Sequence, residues 1–126
     1  MAKIFLGLSL AIFASAGSCP DHCQCFPKMI VCPGGLSKFP VFAGPEDFEE
    51  FLAMDNEIST LSPLAHTLPK LKVLNLSKNK ISKISRGNLP DSITDAWLDD
   101  NAIKSVSSKI FSNLPNLMRL YLRNVS

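Results

Sequence analysis

Four cysteines stand close together near the start of the chain, and they are its most reactive side chains. They occupy positions Cys19, Cys23, Cys25 and Cys32, and no cysteine follows in the rest of the 126 residues. An even number of clustered thiols in an exported protein forms disulfides, and two disulfides allow three pairings. The competing interpretation is a zinc site built from these thiolates, with His22 as a further ligand.

The segment before the cysteines carries an export signal, which favours disulfides over zinc. Lys3 precedes an unbroken apolar run from Ile4 to Ala14, and the small residues Ala14-Ser15-Ala16 end it. This pattern predicts a secretory signal peptide over residues 1–16. A transmembrane span needs about 20 apolar residues, roughly twice the length of this run. We therefore expect a secreted mature chain that begins near residue 17 and has no membrane span.

A search for catalytic groups finds no set of side chains suited to a reaction. The two histidines, His22 and His66, have no matching nucleophile or ligand cluster in the sequence. The neighbouring carboxylates of Asp99 and Asp100 fit a solvated strand end, and no Gly-rich phosphate loop is present. A formal net charge of +2, without a long basic block, argues against nucleic acid as a partner. The sequence thus predicts neither an enzyme nor a cofactor or metal site.

A repeated apolar pattern organises the chain after the cysteines. The best copy reads Leu71, Leu74, Leu76, Asn79, Ile81 and Ile84. Two further copies fill the same places: Phe48, Phe51, Ala53, Asn56, Ile58 and Leu61, and then Ile93, Ala96, Leu98, Asn101, Ile103 and Val106. A fourth copy opens with Leu117, Leu120 and Leu122 but has Val125 in place of the Asn. This is the leucine-rich-repeat signature, in which a short strand turns a corner at an Asn.

The repeat pattern predicts the fold class. One unit cannot bury its own apolar face, so the copies must stack. We predict an α/β-type, mostly β solenoid, right-handed and curved, whose parallel strands line the concave side. A buried Asn carboxamide can satisfy the backbone groups of each corner, so these residues should form a ladder.

The cysteine-rich segment is predicted to cap the stack, whose end would otherwise expose apolar core. We assign residues 17–47 to this cap and residues 48–126 to the repeats. Five prolines and the pair Gly34-Gly35 exclude a helix in the cap. Met29-Ile30-Val31 is β-prone and predicts one short strand there.

The cysteine spacing resembles the amino-terminal cap of extracellular leucine-rich-repeat proteins. The pattern Cys-x3-Cys-x-Cys-x6-Cys is most similar to that of the small leucine-rich proteoglycans, the decorin and biglycan class. The resemblance implies that Cys19 pairs with Cys25 and that Cys23 pairs with Cys32. It also implies an extracellular-matrix protein whose relatives bind collagen and growth factors.

The concave face holds the predicted protein-binding residues, because side chains between the template leucines point outward. Trp97 and Tyr121 fall at the same outward place of neighbouring strands, about 4.8 Å apart. Exposed aromatics next to charge are typical of binding hot spots. The alternative is that the two rings only pack on each other and cover the sheet.

Charged residues accompany the two aromatics. Asp95 faces Arg119, and Asp99 faces Arg123, across neighbouring strands. We expect two cross-strand pairs worth about 0.2–1 kcal/mol each, or a surface that is acidic on one side and basic on the other.

Two sequons predict N-glycosylation, at Asn75-Leu76-Ser77 and at Asn124-Val125-Ser126. Asn75 falls on the concave face next to Trp97, where a glycan would screen the aromatic residues. Asn124 lies at the end of the sequence.

These features together predict a secreted module that binds an extracellular protein, such as a matrix protein, a growth factor or a receptor. A second hypothesis is a soluble pattern-recognition or receptor-ectodomain fragment of the Toll-like kind, because such receptors use similar caps and repeats. A third is a homodimer formed through the concave face or through the open carboxyl end.

Overall fold

The repeats build a solenoid from short strands that recur once per repeat. The computed structural model describes residues 19–42, 44–106 and 108–125. The predicted signal peptide over residues 1–16 therefore lies outside the described residues, and so does Ser126 of the second sequon.

One sheet runs through the described residues, with its strands in the order of the chain. The strands are β1 (Gln24–Cys25), β2 (Met29–Val31), β3 (Glu50–Leu52), β4 (Val73–Asn75), β5 (Asp95–Trp97) and β6 (Arg119–Tyr121). β1 and β2 form an antiparallel hairpin, whereas β2 to β6 are parallel to one another. Parallel neighbours require a crossover, and each crossover here completes one turn of the solenoid.

The crossovers are irregular apart from two short helices. These are α1 (Leu64–Thr67) and α2 (Ser108–Ser112). No helix among the described residues is long and apolar enough to cross a bilayer. The mostly β architecture with parallel strands confirms the predicted leucine-rich-repeat solenoid.

The strand β1 is a feature that the sequence did not predict. The Phe26 N–H donates to the Met29 carbonyl at 2.7 Å and closes the turn, and Cys25 then pairs with Ile30. A strand of two residues is too short to show an alternating pattern. It borders β2 and so protects the amino edge of the parallel sheet.

The template residues turn inward and form one core. Phe51, Leu74 and Ala96 stand side by side in the sheet and are fully buried. Full burial of a large apolar side chain contributes about 1.5–3 kcal/mol. From the cap, the ring of Phe39 packs edge-on against Phe51, with centroids 5.4 Å apart. The cap therefore closes the amino end of the core, whereas Leu120 in the last strand is only partly buried.

A ladder of buried asparagines joins the repeats, formed by Asn56, Asn79 and Asn101. The Nδ2 atom of Asn79 donates to the carbonyls of Ala53 and Leu76, each at 3.0 Å. Its Oδ1 atom accepts the N–H of Ile58 at 3.0 Å. Each carboxamide thus satisfies the backbone of its own corner and that of the preceding repeat, as the sequence predicted.

The residue before each ladder place adopts a left-handed backbone conformation. The φ angles are 62° at Asp55, 59° at Lys78 and 57° at Asp100. Asn124 follows the same geometry with φ 55°, although Val125 occupies the ladder place after it. Because this conformation costs a non-Gly residue about 1–2 kcal/mol, its recurrence shows that the surrounding repeat imposes the corner.

Candidate protein-binding surface

Both disulfides form in the cap. Cys19 pairs with Cys25 and Cys23 pairs with Cys32, which is the pairing that the resemblance implied. All four thiols are therefore oxidised, and the zinc interpretation is wrong. Cys32 is fully buried, and its N–H donates to the Leu52 carbonyl of β3 at 2.8 Å. The disulfides fasten the hairpin to the parallel sheet and form no reactive centre.

The strand register aligns outward side chains into two columns that cross the concave face. The first column consists of Met29, Glu50, Val73, Asp95 and Arg119. The second column consists of Val31, Leu52, Asn75, Trp97 and Tyr121. The repeats therefore align as the leucine spacing predicted, and the sheet brings the two aromatic residues together.

The rings of Trp97 and Tyr121 stack on each other. Their centroids lie 4.9 Å apart, and their planes diverge by 10°. Both side chains are half-buried. Tyr121 covers one face of Trp97, and Asn75 is the neighbour of Trp97 on the other side of the second column. An aromatic pair of this kind contributes about 0.5–1.5 kcal/mol beyond its area burial.

Asp95 and Arg119 form the first of the two expected cross-strand pairs. Nη1 of Arg119 donates to Oδ2 of Asp95 at 2.9 Å, and the Thr94 hydroxyl donates to Oδ1 at 2.8 Å. The hydrogen bond from Arg119, followed by that from Thr94, lowers the pKa of Asp95 below its ordinary value of 3.8. The same bond raises the pKa of Arg119.

The two members of this pair differ in accessibility. The Asp95 side chain is only 12% exposed, whereas that of Arg119 is 59% exposed. The sequence predicted that both would face a partner, but Arg119 and Thr94 occupy the oxygens of the carboxylate. Asp95 thus holds Arg119 in place, and Arg119 is the member that a ligand can reach.

Asp99 and Arg123 do not form the second expected ion pair. Oδ1 of Asp99 instead accepts the backbone N–H of Arg123 at 2.6 Å. Arg123 lies at the corner after β6, where the chain turns its N–H toward the preceding repeat. Its side chain is exposed. The prediction of a side-chain pair was wrong because the alternation of a strand does not extend into the corner.

Four side chains at the carboxyl side of the concave face form what we call the concave patch. They are Trp97, Tyr121, Arg119 and Arg123. Arg119 lies two residues before Tyr121 and Arg123 two residues after it, and both side chains are exposed. Glu50 lies two strands away from Asp95 in the first column and does not belong to this patch.

Two methionines of the repeats are exposed, one in the last repeat and one in the first. Met118, directly before β6, is 73% exposed. Met54, at the amino side of the concave face, is 38% exposed. The repeat template did not indicate Met118, because this residue falls outside the outward places of the template. The sequence feature that could have indicated its exposure is the place that it occupies, which Lys72 holds two repeats earlier.

The two sequon asparagines occupy different settings. Asn75 lies on β4 in the second column, half-buried, next to Trp97. Asn124 is exposed, and its Nδ2 atom donates to Oδ1 of Asp100 at 2.9 Å.

Comparison with known proteins agrees with the fold. The family model described as leucine-rich repeats (2 copies) matches residues 49–90. Over an alignment that covers 96% of the chain, the sequence is 29% identical to a probable glycoprotein hormone G-protein coupled receptor of Anthopleura elegantissima. Over an alignment that covers 90% of the chain, it is 30% identical to leucine-rich repeat-containing protein 3B of Homo sapiens and of Mus musculus.

The matched relatives are longer than this chain. It spans 14% of the length of the receptor and 46% of the length of leucine-rich repeat-containing protein 3B. The repeat spacing, the asparagine ladder, the parallel sheet and the matching family model together show that this chain folds as a leucine-rich-repeat solenoid.

Proposed function

We propose that this chain is an exported recognition module that binds a protein ligand through the concave patch. The observation that carries the proposal is the stacked pair of Trp97 and Tyr121, with the exposed residues Arg119 and Arg123 two positions before and after Tyr121 in the chain. Aromatic residues and arginine dominate the binding energy of protein interfaces. The fold supplies a rigid sheet to present them.

The patch is organised before any ligand arrives. Tyr121 fixes the ring of Trp97, and Asp95 fixes the guanidinium of Arg119. Side chains that are already held lose less conformational entropy on binding. The contacts within the patch therefore support its proposed role in recognition of a ligand.

The chemistry of the patch indicates the kind of epitope. Arg119 and Arg123 are suited to carboxylates, and arginine binds these in a bidentate geometry. Tyr121 offers apolar contact beside Arg119 in the same strand. We expect a ligand surface that combines acidic and apolar side chains.

The location and the ligand class are part of the proposal. Two disulfides favour an oxidising compartment, in line with the predicted signal peptide. The cap resemblance supports a matrix role, with collagen or a growth factor as ligand. The relative named as a hormone receptor supports a second candidate, the ligand-binding part of a receptor-like or pattern-recognition protein.

We assign this chain no catalytic step, cofactor, metal or nucleic-acid ligand. His22 lies in the cap and His66 in α1, so the two histidines sit on different elements. Recognition by the concave patch requires none of these groups.

A binding panel tests the proposal and separates its two candidates. The chain, expressed with its disulfides, is measured against fibrillar collagen, other matrix proteins, secreted growth factors and the chain itself. The double variant Trp97→Ala with Tyr121→Ala removes the aromatic pair, and His66→Ala with Arg86→Ala changes exposed residues away from the concave face as a control. Saturable binding that only the first variant loses supports the proposal. The absence of any such ligand from the panel contradicts it.

A further inference from the structure

The side chain of Asn75 is held in an orientation that leaves its amide nitrogen available. Its Oδ1 atom accepts the backbone N–H of Ser77 at 3.1 Å, which forms a short turn within the sequon. Nδ2 of Asn75 has no protein acceptor among the described residues. The side chain is half-buried on β4, and its outward place in the sheet directs it toward the concave side.

Other asparagines of the chain show how distinct this setting is. Asn79, four residues later, is only 7% exposed, and its Nδ2 donates to three carbonyls of the ladder. Nδ2 of Asn124, in the second sequon, is engaged with the Asp100 carboxylate. Asn75 alone among these three combines a sequon with an amide nitrogen that the fold does not use.

We infer that Asn75 carries an N-linked glycan whose first N-acetylglucosamine packs on the free ring face of Trp97. In the attachment step, Nδ2 attacks C1 of an oligosaccharide carried on a lipid diphosphate. The Nδ2–C1 bond forms, the C1–O bond to the diphosphate breaks, and Nδ2 gives up one proton. The lipid diphosphate is the leaving group. The step requires passage through the secretory pathway, which the disulfides support.

The column geometry places the sugar against Trp97. Tyr121 covers one face of the indole at a centroid distance of 4.9 Å. On the side of Trp97 away from Tyr121, Asn75 of β4 is its direct neighbour in the register. Neighbouring strands lie about 4.8 Å apart, which is the spacing of a stacked contact. A sugar ring bonded to Nδ2 would present its C–H groups to the indole face that Tyr121 does not cover.

The glycan would cover one side of the concave face and leave the other side open. Sugar, Trp97 and Tyr121 would form a stack of three layers along the second column, and the glycan would cover the amino side near Leu52. Arg119 and Arg123 stay open at the carboxyl side. A protein ligand must then approach from the side of Tyr121. This inference stands apart from ligand binding, since the glycan can be present whether or not the patch binds a protein.

Mass spectrometry tests the attachment. The full chain is secreted from cultured eukaryotic cells, and its intact mass is measured before and after treatment with peptide-N-glycosidase. We expect a loss of glycan mass for the wild type and for Asn124→Gln, and none for Asn75→Gln or Ser77→Ala. Ser77→Ala keeps the backbone N–H that Asn75 accepts, so it removes the sequon with little change to the fold. A secreted wild-type chain without a glycan, or a secreted Asn124→Gln chain without one, would overturn the inference.

Fluorescence tests the packing, because Trp97 is the single tryptophan of the chain. Glycans kept in the high-mannose form are trimmed by endoglycosidase H to one N-acetylglucosamine. Collisional quenching by acrylamide should be weaker in this form than in Ser77→Ala, because the sugar covers the open face of the indole. Equal quenching in the two proteins would refute the contact while leaving the attachment intact.

Thermal unfolding supplies an independent measure of the same contact. The single sugar should raise Tm by about 4–8 °C, the shift expected for an aromatic contact of ordinary strength in a domain of this size. In Trp97→Ala the sugar should raise Tm far less. A shift of equal size in both backgrounds would show that the sugar stabilises the fold without contacting Trp97.

Discussion

The indole of Trp97 lies parallel to the phenol ring of Tyr121, with the two centroids 4.9 Å apart across neighbouring strands. This contact connects the repeat pattern to recognition. The template leucines set the register of β5 and β6, the register places the rings at the same outward place, and the rings become the centre of the concave patch.

The stacked rings should be energetically coupled. We expect a coupling free energy of about 0.5–1.5 kcal/mol from the four proteins of a double-mutant cycle, namely wild type, Trp97→Ala, Tyr121→Ala and the double variant. Urea unfolding followed by circular dichroism measures the four free energies of unfolding. Strictly additive effects would show that the rings are merely adjacent.

The pair of Asp95 and Arg119 should make stability depend on acid pH. Arg119 and Thr94 lower the pKa of Asp95 in the folded state below its ordinary value of 3.8. At pH values between the folded-state pKa and the ordinary pKa, the unfolded state therefore binds more protons than the folded state. The contribution of the pair is therefore complete above the ordinary aspartate value and is lost as the pH falls through the lower, folded value.

Comparison with Asp95→Asn isolates this effect from other carboxylates. The stability gap between wild type and Asp95→Asn should narrow as the pH falls from about 5 to about 2 in urea unfolding experiments. A gap that stays constant over this range would contradict the assigned hydrogen bonds.

The ladder asparagine Asn79 should be essential to stability. Asn79→Ala leaves the buried N–H of Ile58 without its acceptor and removes one of the two donors to each of the carbonyls of Ala53 and Leu76, which keep the Nδ2 groups of Asn56 and Asn101. The unsatisfied N–H costs about 1–3 kcal/mol and each lost hydrogen bond about 0.5–1.5 kcal/mol, so we expect a loss of at least about 2 kcal/mol in the free energy of unfolding.

A matched asparagine on the same repeat provides the control. Asn75→Ala, in protein refolded without glycan, removes one local hydrogen bond of a half-buried side chain. It should cost about 0.5–1.5 kcal/mol. Equal losses from Asn75→Ala and Asn79→Ala would argue against the structural role of the ladder.

The two disulfides should differ in their effect on stability. Cys32 is fully buried and lies beside the strand hydrogen bond to Leu52, whereas Cys25 is exposed in the hairpin. Replacing both members of a native disulfide in a small secreted domain costs about 2–5 kcal/mol. We expect Cys23→Ala with Cys32→Ala to reach the upper part of this range, because it also removes a core contact.

Thermal unfolding of the two double variants checks this order. Cys19→Ala with Cys25→Ala should unfold at a higher temperature than Cys23→Ala with Cys32→Ala. The reverse order would mean that the cap depends mainly on its outer disulfide.

The repeats and their columns were predictable because their signals are local. Leucine spacing sets the inward places, a strand alternates with period two, and the ladder asparagines mark the corners. The adjacency of Trp97 and Tyr121 follows from these rules, whereas the parallel stacking of their rings is seen only in the structure. The pairing of Cys19 with Cys25 came from family resemblance, since spacing leaves the alternatives open.

The parts that escaped prediction depend on contacts between repeats. Burial of Asp95 arises from Thr94 next to it and from Arg119 one repeat later. The bond from the Arg123 N–H to Asp99 depends on how the corner turns after β6. Neither alternation nor composition contains this information.

The most direct test of the central claim is the equilibrium dissociation constant of the panel ligand for wild type and for Trp97→Ala with Tyr121→Ala. Removal of two hot-spot aromatics should weaken binding by at least about 30-fold, which corresponds to 2 kcal/mol or more. The control variant His66→Ala with Arg86→Ala should bind as wild type does, and all three proteins should show the same folded circular dichroism spectrum. Unchanged affinity in the folded aromatic variant would contradict recognition through the concave patch.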